Sequence, residues 1–415
     1  MKRFEYVMSG LAHVRVTLKS AKEDEQSRKA IRAITDRLGS LLEDHKITGL
    51  YNAFTEVRNG KNVSEGEHFE TPLHSDSGGL QIISRGLTIN EDLKKKVYKN
   101  QALYSGTAMC FDEIPTTVTR VASQRLFLED QLEDKAKGTA LNVIEQIKVF
   151  DSMKAVTKPL LVVQGNDIPT YLKWIDICLN TIPKEMWDKI GGLSIASTSS
   201  GSGALEDIEK NYAFSIAEVP DSWKSQLHLL GIGAIKRMFP VIGFVQSGMI
   251  GENTLVSYDS TTHSSNVTHR RFNEKDASFV EVGQDDRFQI LKLYEYCKEY
   301  YDIKADFDLF CDSITYNRDF FLDKYGEGKI HLWHEALLSM AMVSVLHTTK
   351  NVEELAKSNK KFKTFTNMLG CSEMSYLAEI KTAEDYEAYM REFSGRLTTS
   401  RIKKASEASS LEQFF

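Results

Sequence analysis

Between residues 73 and 259 six short apolar runs each stop at a small, polar or acidic residue. They are Leu73-His74-Ser75-Asp76, Met109-Cys110-Phe111-Asp112, Leu161-Val162-Val163-Gln164-Gly165, Gly191-Gly192-Leu193-Ser194, Leu229-Leu230-Gly231-Ile232-Gly233 and Leu255-Val256-Ser257-Tyr258-Asp259. Successive run ends are roughly 28–52 residues apart, room for a crossover helix each time, and a strand–helix–strand alternation implies parallel pairing. A doubly wound sheet and a closed barrel both satisfy the alternation. So many strands ending in polar groups favours the barrel, whose strand ends all converge on one face. The expected fold is α/β, a (β/α)8 TIM barrel with a helical C-terminal extension.

Around this centre the chain divides into three parts. Residues 1–72 read as an N-terminal strand and helix segment leading into the barrel. Val14 to Leu18 alternate like a short strand, and Ile31, Ile34, Leu38, Leu41 and Leu42 recur at helical spacing within a helix expected over 21–49. Residues 57–68, with Asn59-Gly60, read as a loop. The catalytic barrel with helical insertions is expected over 73–350, its longest helical regions at 119–150 and 168–189. Residues 351–415 read as helix followed by an exposed basic, Ser-rich tail from Ser394.

The bulk properties exclude several classes. No apolar run approaches the roughly 18 residues of a membrane helix, and the basic start Met1-Lys2-Arg3 has no apolar stretch behind it, so no export signal and no membrane are expected. The five cysteines form no CxxC pair, which fits reduced thiols in a cytoplasm. A net charge of −6 argues against a polybasic, sequence-independent nucleic-acid coat but leaves room for a local basic groove.

The candidate chemistry rests on Asp76 and Asp259. An Asp at a strand end commonly caps a helix. Here Asp76 precedes Ser77-Gly78-Gly79, where missing side chains let a planar ligand approach the backbone, and Asp259 closes an apolar strand. Two carboxylates at one barrel mouth suit substitution at a sugar anomeric carbon, one as nucleophile and one moving protons.

Asp76-Ser77-Gly78-Gly79-Leu80-Gln81 resembles the DSGGFQ signature of the tRNA-guanine (queuine) transglycosylases. Phe111-Asp112-Glu113 resembles their FDE segment, Val163-Gln164-Gly165 their VQGG, Gly191-Gly192-Leu193-Ser194 their GGL(A/S), Leu229 to Gly233 their LMGVG, and Tyr258-Asp259 their strand-end Asp. The six appear in family order across residues 70–265. The resemblance implies exchange of guanine in a nucleic acid for a 7-deazaguanine base. Asp259 would be the nucleophile and Asp76 the general base. Asp112, Gln164, Gly165, Gly191, Gly192, Leu193, Ser77 and Gly78 would bind the base. A flipped purine independently calls for donors and acceptors at its edge and flat, side-chain-free walls.

The departures from the family are equally specific. Its Pro-Thr-Arg-Asn segment after the nucleophile is replaced by Ser260-Thr261-Thr262-His263, and its CxCxxC zinc motif by Cys297, Glu299 and Asp302. No cofactor is required for the chemistry and a structural zinc is not favoured; Cys297, Cys311, His331 and His347 are the irregular alternative set. Leu338 stands where the second histidine of a zinc-protease HExxH motif would follow His334-Glu335. Loss of the tRNA-reading segment makes the chain most similar to the phage-type enzymes that modify DNA. His269, Arg270, Arg271 and Arg120 are the expected phosphate contacts. DNA is the expected partner, with tRNA, or a non-catalytic accessory nucleic-acid-binding barrel, as alternatives; the oligomeric state, a homodimer included, stays open.

Overall fold

The computed structural model describes residues 2–9, 24–60, 73–79, 82, 86, 87, 89–118, 125–197, 203–283 and 286–411. Eight parallel strands close into a barrel: β1 (Phe4–Met8), β2 (His45–Asn52), β3 (Leu73–Asp76), β4 (Ser105–Met109), β5 (Pro159–Gly165), β6 (Gly192–Ser197), β7 (Gln226–Leu229) and β8 (Leu255–Ser260). Each pairs with its sequence neighbours, and β8 returns to β1 with Val7 opposite Asp259. All six apolar runs read from the sequence contribute barrel strands.

Two strands lie ahead of the expected start at residue 73. β1 sits at residues 4–8, while Val14 to Leu18 fall outside the described residues. The helix expected over 21–49 is Glu25–Ser40, and β2 begins at His45. Helix gives way there because Asp44 and His45 are held elsewhere: the Asp44 N–H donates to Glu353 Oε1 at 3.0 Å, and His45 Nδ1 lies 3.1 Å from the same oxygen. Within the loop expected over 57–68, residues 57–59 finish the short helix Ala53–Asn59.

Helices Glu91–Tyr104, Leu132–Ser152, Ile168–Thr181, Ala204–Ile216 and Ile235–Ser247 alternate with the later strands. Ile168–Thr181 begins in a capping box, with Asp167 accepting from the Thr170 N–H and Pro169 in the first turn. The long helix Ile330–Lys357 completes the ring by packing against Glu25–Ser40. Two buried polar ties fix it to the barrel. His45 Nε2 meets the Tyr258 hydroxyl at 3.1 Å while its Nδ1 reaches Glu353, and His263 bridges the Tyr6 hydroxyl (2.7 Å) to Thr348 Oγ1 (3.2 Å).

Two hairpins, Thr116–Val118 with Arg125–Phe127 and Arg271–Asn273 with Phe279–Glu281, stand outside the barrel sheet. The C-terminal region is helical as expected, and Tyr386 stacks on Tyr212 of a barrel helix at 3.6 Å. The helix Ala383–Leu411 runs through the segment read as a tail, with Leu397 buried. No helix among the described residues is long and apolar enough to cross a membrane.

Candidate active site

Asp76 ends β3 and lies opposite Asn52, the last residue of β2. Asn52 also caps Ala53–Asn59: its Oδ1 accepts the Thr55 N–H at 2.8 Å, which turns its amide nitrogen outward to donate to Asp76 Oδ2 at 2.9 Å. The Gly78 N–H donates to Asp76 Oδ1 at 3.1 Å. Burial, and further the charge of Asp259, raises the Asp76 carboxyl against these two hydrogen bonds.

Asp112 leaves β4 beside the same turn. A β-carbon on Gly79 would stand 2.5 Å from Asp112 Oδ1, so only glycine lets the turn come this close. Gln164 Nε2 donates to Asp112 Oδ2 at 2.6 Å, and Ser77 Oγ reaches Oδ1 at 3.4 Å. Burial and the neighbouring Asp76 push the Asp112 carboxyl up to about 7. Gly165 follows Gln164 at the end of β5, where a β-carbon would strike the Tyr171 ring.

Asp259, only 8% exposed, sits one residue short of the end of β8. The Gly231 N–H donates to its Oδ1 at 2.8 Å, and His228 Nε2 lies 3.5 Å from the same oxygen. The Gly231 carbonyl accepts from Arg237 Nη1 at 2.9 Å, and Arg237 in turn grips buried Asp207 through Nε and Nη2, both at 2.9 Å. The turn that touches Asp259 is therefore clamped from behind by a bidentate ion pair.

The structure thus gathers Asp76, Asp259, Asp112, Gln164, Gly165, Ser77 and Gly78 around the C-terminal ends of the strands, the face on which barrel enzymes carry their sites. Gly191, Gly192 and Leu193 do not join them. Gly192 pairs with Leu160 at the start of β5, whereas Gln164 pairs with Ala196. Four residues of strand, about 13 Å, separate Gly192 from the mouth. Its lack of a side chain serves packing: a β-carbon there would collide with the Gln226 backbone. The base-binding expectation for these three residues is corrected accordingly, and Ala196 occupies the mouth level of β6.

The basic cluster also changes. Arg270 Nη2 donates to the Thr315 carbonyl at 2.7 Å, which makes it an anchor between the hairpin and the end of helix Phe307–Thr315. Arg271 pairs loosely with Glu281 at 3.4 Å, and His269 is exposed. His269 and Arg271 line an open groove with Asn266 and the exposed ring of Phe279. Arg120 lies outside the described residues. Cys297, Cys311, His331 and His347 are not assembled: no group of three or more metal-ligating side chains occurs among the described residues, and both His347 nitrogens are engaged, by the Asn273 carbonyl and the Tyr300 hydroxyl.

Sequence reasoning missed Asn52, His228, Arg237 and the Gly231 amide. Ile47 to Tyr51 ending in Asn52 follows the pattern of the other six runs, so Asn52 was recoverable. His228 and Arg237 gave no local signal. No protein-family model matches this chain, and no curated protein matches it.

Proposed function

We propose that this protein is a DNA-guanine transglycosylase, exchanging guanine in DNA for a 7-deazaguanine base through a covalent aspartyl-glycosyl intermediate. The observation that carries the reading is geometric: Asp76, Asp112 and Asp259 stand together at the C-terminal ends of β3, β4 and β8, close enough that Asp259 raises Asp76 and Asp76 raises Asp112. Like charges are costly to hold close together away from water, and a site that keeps three carboxylates together has a use for them.

In this reading Asp259 Oδ2 attacks C1′ of a flipped-out deoxyguanosine. The C1′–N9 bond breaks and guanine leaves with the electron pair, its N9 then taking a proton from solvent water. The incoming base then bonds through N9 to C1′, surrendering its N9 proton to Asp76 as the ester to Asp259 breaks. Two displacements give net retention. Guanine offers two adjacent donors, N1–H and N2–H, and ionised Asp112 beside Gln164 is an acceptor of matching form. Gly78 and Gly79, having no side chains, let this turn pack against Phe54 and Asp112 and so keep Asp112 beside Asp76.

Radiolabelled guanine supplied with DNA or with tRNA tests the proposal. Label entering DNA supports it; label entering tRNA alone would replace it with the tRNA reading. No label in either, and no adduct, would leave a barrel that only binds.

A further inference from the structure

Beneath the mouth the barrel interior is polar where small barrels usually pack branched apolar side chains. Strand register sets Glu5, Ser257, His228 and Ser194 side by side on β1, β8, β7 and β6. All four are buried. Gln226 Nε2 donates to Ser257 Oγ at 2.8 Å, and Ser257 Oγ lies 2.9 Å from His228 Nδ1. On the other side His74 Nε2 donates to Glu5 Oε2 at 2.8 Å, and the His74 and His228 rings are 5.7 Å apart.

These contacts point to one placement of the His228 proton. With the Gln226 amide occupying a lone pair of Ser257 Oγ, the serine's own proton is free to go to His228 Nδ1. Nδ1 is then an acceptor, so a neutral imidazole carries its hydrogen on Nε2. That nitrogen is fully buried and makes no hydrogen bond, and Asp259 Oδ1 lies 3.5 Å from it. A buried donor held just beyond a good hydrogen bond is a group waiting for its acceptor to move closer, as catalytic contacts often do when substrate binds.

We infer that His228 is the positioning residue of Asp259: its Nε2–H, with the Gly231 N–H, holds Oδ1 and leaves Oδ2 as the attacking oxygen. The inference rests on Asp259 being the nucleophile of the proposed exchange. Its effect is largest when the glycosyl ester breaks. The Oδ2–C1′ electron pair then returns to the carboxylate, and the charge it brings is shared by Oδ1 and the two donors aimed at it. His228 touches neither base nor sugar in this arrangement. Removing its donor should slow the release of Asp259 without weakening base binding.

Two measurements on the full-length chain decide this. Nitrogen NMR of histidine-labelled wild-type protein reads the His228 tautomer with no need for activity, the signal being assigned by its loss in His228→Gln. An Nε2–H form, with a resonance that shifts in Asp259→Asn, is expected; an Nδ1–H form, or no response to Asp259→Asn, overturns the inference. With radiolabelled guanine and DNA, His228→Phe should lower kcat on the order of 100-fold. KM for guanine should stay within about twofold, and the denaturation-resistant adduct should accumulate. His228→Gln, which keeps an N–H donor, should recover much of the rate. Wild-type turnover with an unaffected His228→Phe sinks the role of His228 alone. A wild-type chain without turnover or adduct sinks the transglycosylase reading, and the NMR result still decides the His228–Asp259 contact.

Discussion

Asn52 and Asp76 share one hydrogen bond across β2 and β3, and the helix cap made by Asn52 sets its direction. The two duties separate by substitution. Asn52→Ala loses both and should cost about 1 kcal/mol of stability through the cap alone. Asn52→Asp can still cap but replaces a donor with a second carboxylate, which raises Asp76 further. Its exchange activity should therefore need a higher pH than wild type while its melting temperature falls less than that of Asn52→Ala. Matching pH–rate profiles for Asn52→Asp and wild type would show that Asn52 serves only the helix.

Replacing the two strand-end carboxylates should give different lesions. Asp259→Asn should abolish exchange and the denaturation-resistant adduct, because an amide is a poor nucleophile. Asp76→Asn should form adduct with release of guanine yet incorporate little new base, its proposed task being to accept the incoming proton. Equal loss of adduct in both variants would contradict this division of labour.

The barrel was legible because its signal is repetitive: Asp76, Asp112, Gln164 and Asp259 each end an apolar run, and geometry then brings strand ends together. Depth within the barrel was not legible. Gly191-Gly192 ends no strand but begins one, and a run of apolar residues does not say which of its ends faces the mouth. Only the pairing of Gly192 with Leu160 shows it to be at the opposite face. Arg270 illustrates the same gap, since a basic residue beside a predicted mouth reads as a phosphate contact until the Thr315 carbonyl is seen to hold it. His228 and Arg237 act through other residues, by contacts that only the folded chain creates.

On the proposed reading, Asp112 should make base binding pH-dependent. Its carboxyl is pushed up to about 7 from an unfolded value of 3.8, so the folded state holds a proton that the unfolded chain has lost between those limits. Stability should consequently fall as pH rises from about 4 to about 7, and Asp112→Asn should flatten that slope. Guanine binding needs the ionised acceptor, so affinity should drop by up to about tenfold per pH unit below 7. Calorimetry at several pH values would register the proton released on binding. An affinity for guanine that is constant from pH 5 to 8 would remove Asp112 from the base edge.

The nucleic-acid surface is the part of the proposal most exposed to test. Arg271 and His269 face the open groove beside Phe279, whereas Arg270 is committed to the fold. Arg271→Ala should weaken DNA binding across sequences and reduce the slope of log affinity against log salt by about 1, as expected for one lost phosphate contact. Arg270→Ala should instead lower the melting temperature and leave the salt slope unchanged. The target guanine must leave its stack to reach Asp259, at a cost of a few kcal/mol in a duplex and less in a single strand. Labelled guanine should accordingly enter weakly paired DNA faster than stable duplex, and DNA in preference to tRNA. A salt slope insensitive to Arg271→Ala would move the DNA path off this groove, and incorporation into tRNA alone would reassign the substrate.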